Sequence, residues 1–143
     1  MAPEKVLLVD DEIDFVNALS ERMAARGLLV ETAHNGEEAL TTIARTSFDA
    51  VILDLAMPGM DGIETLKAMR RINPGIQVIL LTGHGTVKRG IEAMKLGAMD
   101  FLEKPTDIAE LIQKIKDAKA KQTAAAEKKI EQIVNDIVLT KGW

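Results

Sequence analysis

The sequence of 143 residues contains no cysteine and no tyrosine, and only three phenylalanines and one tryptophan. Without cysteine there is no disulfide framework, no thiol nucleophile and no thiolate-bound zinc, which fits a reducing, cytoplasmic setting. Basic residues are outnumbered, 18 Lys and Arg against 22 Asp and Glu, for a formal charge of −4. An acidic chain with so few rings has neither the field nor the stacking surface for nucleic acid, so direct binding to it is not expected. Long apolar runs are missing too. The first, Val6 to Val9, is far too short for a signal peptide or a membrane span, so no membrane association is expected. What the chain does have is 47% hydrophobic residues, enough to bury the core of one compact domain unaided.

Short apolar runs alternate with amphipathic segments, the signature of repeated βα units and a parallel sheet. Val6–Val9, Leu28–Ala33, Ala50–Leu53, Ile76–Leu81 and Phe101–Leu102 read as five strands. Helices are expected at Ile13–Arg26, with Phe15, Leu19 and Met23 on one face, and after Asn35-Gly36, with Ala39, Leu40 and Ile43. Three more carry Ile63, Leu66, Met69 and Ile72; Val87, Ile91 and Met94; and, after an Asp107 N-cap, Ile108, Leu111, Ile112 and Ile115. The expected architecture is α/β: a doubly wound five-stranded sheet of flavodoxin-like order 2-1-3-4-5, flanked by five helices. Residues 1–120 would form this domain. Residues 121–143 would add a C-terminal helix whose stripe of Ile130, Ile133, Val134, Ile137 and Val138 either packs on its own domain or docks a partner.

In open parallel sheets, ligands bind at the carboxyl ends of the strands, where the strand order reverses. The polar residues ending the runs are Asp10, Asp11 and Glu12 after the first strand, Asp54 after the third, Thr82 after the fourth and Lys104 after the fifth. Clustered carboxylates favour a hard divalent cation such as Mg2+, and such an ion lets one carboxylate attack a phosphoryl group. Lys104 can hold a phosphoryl oxygen as a point charge, and Thr82 can donate a hydrogen bond to another.

These residues sit in an ordered set: Val9-Asp10-Asp11-Glu12, Leu53-Asp54 with Met57-Pro58-Gly59-Met60-Asp61-Gly62, Leu81-Thr82-Gly83, and Asp100-Phe101-Leu102-Glu103-Lys104-Pro105. The set resembles the response-regulator receiver family over about Lys5 to Ala118. The resemblance implies a phosphorylation-dependent signalling switch, not an enzyme acting on other substrates. Asp54 would accept a phosphoryl group from a sensor histidine kinase, a phosphotransfer protein or a small phosphodonor. Asp10, Asp11, Asp54 and the backbone carbonyl of Ala56 would bind Mg2+, Thr82 and Phe101 would form the switch pair, and the Lys104–Pro105 bond would be cis. The charge on Asp54 would bias a surface formed by the fourth and fifth helices. Gly90 in the fourth helix, about 1 kcal/mol worse than alanine in a helix interior, fits a movable element.

The chain departs from the family at Thr106, where many members carry a bulky apolar residue, and Phe101 lacks a tyrosine hydroxyl. Ala56 and His84 occupy positions that vary among members and tune phosphoryl lifetime. His34 and His84 stand alone and read as loop histidines, the methionines as core filler, and Trp143 has no assigned role. An Asp-nucleophile phosphatase or phosphotransferase is the enzymatic alternative, but Ala56 stands where its general acid would be. A degenerate receiver serving only as an interaction module conflicts with the complete set of acids. A flavin-binding flavodoxin-like protein would need a phosphate-cradling loop after the first strand that is not there. With no length left for an output domain, the sequence reads as a stand-alone receiver or the receiver part of a longer regulator. A homodimer through the fourth helix, fifth strand and fifth helix, or through the C-terminal helix, is a further partner the pattern allows.

Overall fold

A computed structural model describes residues 2–57, 60–83 and 87–140; Pro58, Gly59, His84 and Trp143, singled out above, lie outside the described residues. The alternation of apolar runs and amphipathic segments is realised in full. In chain order the elements are β1 (Lys5–Val9), α1 (Ile13–Ala25), β2 (Leu29–Ala33), α2 (Gly36–Arg45), β3 (Ala50–Asp54), α3 (Gly62–Ile72), β4 (Val78–Thr82), α4 (Val87–Lys95), β5 (Asp100–Glu103) and α5 (Ile108–Thr140). The strands form one parallel sheet in the order β2-β1-β3-β4-β5.

Alternate strand side chains point to opposite faces, so each face builds its own core. Leu7, Val9, Val51, Leu53, Val78 and Leu80 pack under α2, α3 and α4, against Ala39, Leu66, Met69 and Ala93. Val6, Leu8, Ile52, Ile79 and Leu81 pack under α1 and α5, against Val16, Leu19, Met23, Leu111 and Ile115. Central strands β3 and β4 are buried along their whole length, whereas edge strand β2 alternates between exposed and half-buried until Ala33.

Helix ends follow capping chemistry. Asn35 and Asp61 accept hydrogen bonds from the amides of Glu38 (2.8 Å) and Glu64 (2.9 Å). Asp107 accepts one from the Ala109 amide at 3.0 Å, as its expected cap role requires. Gly27 closes α1 at φ +89, a left-handed conformation that suits glycine.

Three helix faces differ from the periodicity reading. On α1, Leu19 and Met23 are buried as expected, but Val16 joins them in place of Phe15, which lies half-buried at the edge of the face. On α3, Ile72 is exposed. On α4 the expected face is turned outward: Ile91 and Met94 are exposed, while Gly90 and Ala93 face the sheet. Small residues let the α4 backbone lie close to β4 and β5, and proximity there outweighs the burial of larger side chains. The C-terminal helix is present as an unbroken continuation of α5. Ala118 is its last buried residue, Gln122 its last half-buried one, and residues 123–139 are exposed.

Candidate functional site

The carboxyl ends of β1, β3, β4 and β5 meet at one edge, as the strand order requires. Register sets the neighbours: Val9 pairs with Leu53, Asp54 with Leu81, and Thr82 with Glu103, so Asp10, Asp54, Thr82 and Lys104 come within one or two positions of each other. Asp10, Asp54 and Thr82 are almost completely buried, polar side chains placed where the sheet stops and the helices have not yet closed over it.

Lys104 is the centre of the cluster. Its ammonium donates to Asp10 Oδ2 at 2.7 Å and lies 3.6 Å from Glu12 Oε1 and 3.7 Å from Asp54 Oδ2. Its Nζ also sits 4.4 Å from the centroid of the Phe15 ring, an apolar wall that shields one side of the charge. Asp10 Oδ1 accepts from the Glu12 amide at 3.0 Å, and Asp54 Oδ1 accepts from the Ala56 amide at 3.1 Å. Asp10 and Asp54 thus each have one oxygen tied to the backbone and one turned toward the lysine. Burial is the main force on the Asp54 carboxyl, and with the nearby Asp10 charge it pushes its pKa up to about 6, against the pull of the Ala56 amide and Lys104. Burial alone would lower the Lys104 ammonium, yet Asp10, Asp54 and Glu12 outweigh it and hold lysine above its ordinary value.

Asp10, Glu12 and Asp54 each place a carboxylate oxygen within 4.8 Å of the other two. Three hard oxygen donors at that separation, two of them on buried residues, fit a divalent cation that keeps part of its water shell. Asp11, at the same strand end, is half-buried and not among the carboxylates that converge, whereas Glu12 is. Ala56 is exposed at its expected position beside Asp54.

Gly62 secures the loop after Asp54. A Cβ there would lie 2.4 Å from Leu55 Cα and 2.7 Å from the Asp54 carbonyl oxygen, and the Gly62 amide donates to the Leu55 carbonyl at 3.2 Å. Only glycine lets the start of α3 press against the backbone of Asp54 and Leu55. Thr82 donates a long 3.4 Å hydrogen bond to the Leu102 carbonyl, and Phe101, half-buried, packs at the margin of the core. The Lys104–Pro105 bond is cis. Beside it, a cleft of about 440 Å3 opens between α1 and the β5–α5 turn, with Phe15, Leu19, Arg22 and Thr106 among its walls. The small Thr106 leaves this cleft open, and its hydroxyl is buried without a partner.

Sequence reasoning did not single out Phe15 or Gly62 for the site, or Glu12 as a cation ligand. Glu12 was adjacent to the acids it did name, and the Asp61-Gly62 pair was a visible turn signal. Phe15 carried no signal, because its spacing on α1 is that of any core residue.

Residues 6–116 match the family described as response regulator receiver domain. Transcriptional regulatory protein ZraR of Klebsiella oxytoca is 39% identical over 115 residues, which are 80% of this chain and 26% of ZraR. Transcriptional regulatory protein GlrR of Escherichia coli K12 is 35% identical over 132 residues, 92% of this chain and 30% of GlrR. The chain therefore spans less than a third of the length of these curated relatives. The crystal structure of a response regulator receiver domain protein from Clostridium thermocellum superposes with a TM-score of 0.82 at 33% identity, covering 85% of this chain and 98% of that one.

Proposed function

The chain belongs to the response regulator receiver family, and from that premise we propose that it is a phosphorylation switch whose acceptor is Asp54. The observation that carries this reading is the buried Asp54 carboxylate facing Lys104, with the Asp10 carboxylate close by on the same ammonium. In the proposed step an Asp54 oxygen attacks phosphorus and the bond from phosphorus to the donor breaks. Its electron pair leaves with the donor, an imidazole nitrogen of a kinase or phosphotransfer protein or the carboxylate of an acyl phosphate. Lys104, already 2.7 Å from Asp10, needs only a short swing to pair with a phosphoryl oxygen. Thr82, whose bond to Leu102 is long, is free to turn toward another.

Asp10, Glu12 and Asp54 would hold a divalent cation, with Asp11 and the Ala56 carbonyl as further candidates; Mg2+ would supply positive charge to the incoming phosphoryl oxygens. No helix among the described residues is long and apolar enough to cross a membrane. A second copy of the chain is a partner suited to two exposed apolar surfaces: Ile91 and Met94 on α4, and Ile130 to Leu139 on the α5 extension. We place the division between switch domain and extension near residue 120.

The test is incubation with acetyl phosphate and Mg2+ followed by intact mass measurement. The wild type gains one base-labile phosphoryl group and Asp54→Asn gains none. An adduct that persists in Asp54→Asn overturns the assignment, and steady turnover of many phosphate esters favours a phosphatase instead.

A further inference from the structure

Gly90 lies on the inward face of α4, buried, with no side chain of its own. A Cβ built there would stand 3.7 Å from Phe101 Cδ2, 3.8 Å from Phe101 Cγ and 4.0 Å from Thr82 Cγ2. One point in space, left bare by glycine, therefore touches both residues assigned to the switch, which sit on adjacent strands β4 and β5. Glycine weakens a nine-residue helix such as α4, and neither a turn nor a positive φ calls for it here. A methyl group would also fit at ordinary contact distance. Neither backbone geometry nor crowding in the present arrangement explains the residue.

We propose that Gly90 is a positioning residue for the switch: its missing side chain is the room through which the Phe101 ring and the Thr82 methyl move when Asp54 is phosphorylated. This rests on the proposed function above. In the present arrangement the Thr82 hydroxyl donates to the Leu102 carbonyl. For it to reach a phosphoryl oxygen, the threonine side chain must rotate and its neighbours must refill the space. Phe101 supplies the two atoms nearest this point, and its ring is half-buried beside the bare α4 backbone. A methyl at position 90 would add favourable contacts to the ring where it now stands and would obstruct its departure. It would act on the equilibrium between two arrangements while leaving the carboxylates of the site untouched.

The experiment compares the full chain with Gly90→Ala and Glu92→Ala. The second variant also improves helix propensity, but on the exposed face of α4, so it controls for simple stiffening. Each protein is treated with acetyl phosphate and Mg2+; intact mass gives the adduct, and backbone amide NMR shifts of α4 and β5 give the fraction switched. All three proteins are expected to gain the adduct. In the wild type and Glu92→Ala the α4 and β5 resonances move fully, while in Gly90→Ala the ratio of switched to unswitched protein falls about ten-fold, the ratio that overpacking of this size represents. Full movement in Gly90→Ala, or an equal loss in Glu92→Ala, overturns the inference. Absence of an adduct in the wild type overturns the proposed function itself, so the two failures are told apart.

Discussion

At the scale of single residues, the site is a contest between burial and pairing. Asp54 is held in a place that disfavours its charge, with a pKa near 6 where an exposed aspartate has 3.8. Above pH 6 the folded protein carries that buried charge at a cost; between pH 6 and 4 it takes up a proton the unfolded chain does not, and stability rises as pH falls. Asp54→Asn removes the charge, so in chelator it should be more stable than the wild type by about 2 kcal/mol at pH 7.5, the gain fading toward pH 4. Denaturant melts at both pH values check this, and a constant difference would contradict it. Lys104→Ala should do the reverse. Deprived of the cation, Asp10 and Asp54 face each other unpaired, at a cost of about 2–3 kcal/mol in chelator. Adding Mg2+ should raise the melting temperature of Lys104→Ala by more than that of the wild type, as thermal melts with and without the ion would show.

At the scale of elements, an ion pair ties α4 to Asp61, the residue that caps α3. Asp61 accepts the Glu64 amide through Oδ1 and pairs through Oδ2 with Arg89 Nη2 of α4 at 2.8 Å. The two functions can be separated. Asp61→Asn keeps an oxygen for the cap and loses the charge, so it should cost no more than about 0.5 kcal/mol, because both side chains are over a third exposed. Asp61→Ala loses both and should cost about 1–2 kcal/mol. Chemical denaturation of the two variants measures the difference; equal losses would mean that the ion pair, not the cap, dominates. The elements themselves were largely legible in the sequence. Five apolar runs gave five strands, displaced by a residue or two where Ile76 and Leu28 proved to be buried residues preceding β4 and β2 rather than parts of them. Helix faces were legible where large residues point inward, as on α5. On α4 they were not, because period alone does not say which face meets the sheet when the inward residues are Gly90 and Ala93.

At the scale of the whole molecule, a compact sheet domain carries a helix that outgrows it. α5 stays in contact as far as Gln122, whose amide donates to the Phe48 carbonyl at 3.4 Å, and its side chains from 123 to 139 are exposed. A chain ending at residue 122 should therefore unfold with the stability of the full chain to within about 0.5 kcal/mol, since the described residues it removes, 123–139, are exposed. A larger loss in denaturant melts would mean that the extension packs on something in solution. Light scattering of both chains then reports whether the stripe from Ile130 to Leu139 pairs copies.

The order of apolar runs and turn residues, by itself, determined the α/β class and the strand ends on which Asp10, Asp54, Thr82 and Lys104 lie, because burial on both faces of a parallel sheet leaves a mark on every strand. Tertiary structure decided what those ends do to one another. Which acid joins Asp10 and Asp54, that Lys104 rests against Phe15, and that Gly90 leaves a gap beside Thr82 and Phe101 all depend on distances of a few ångströms between segments far apart in the chain. Local periodicity carries no information about such distances, since they are set only when both faces of the sheet are packed.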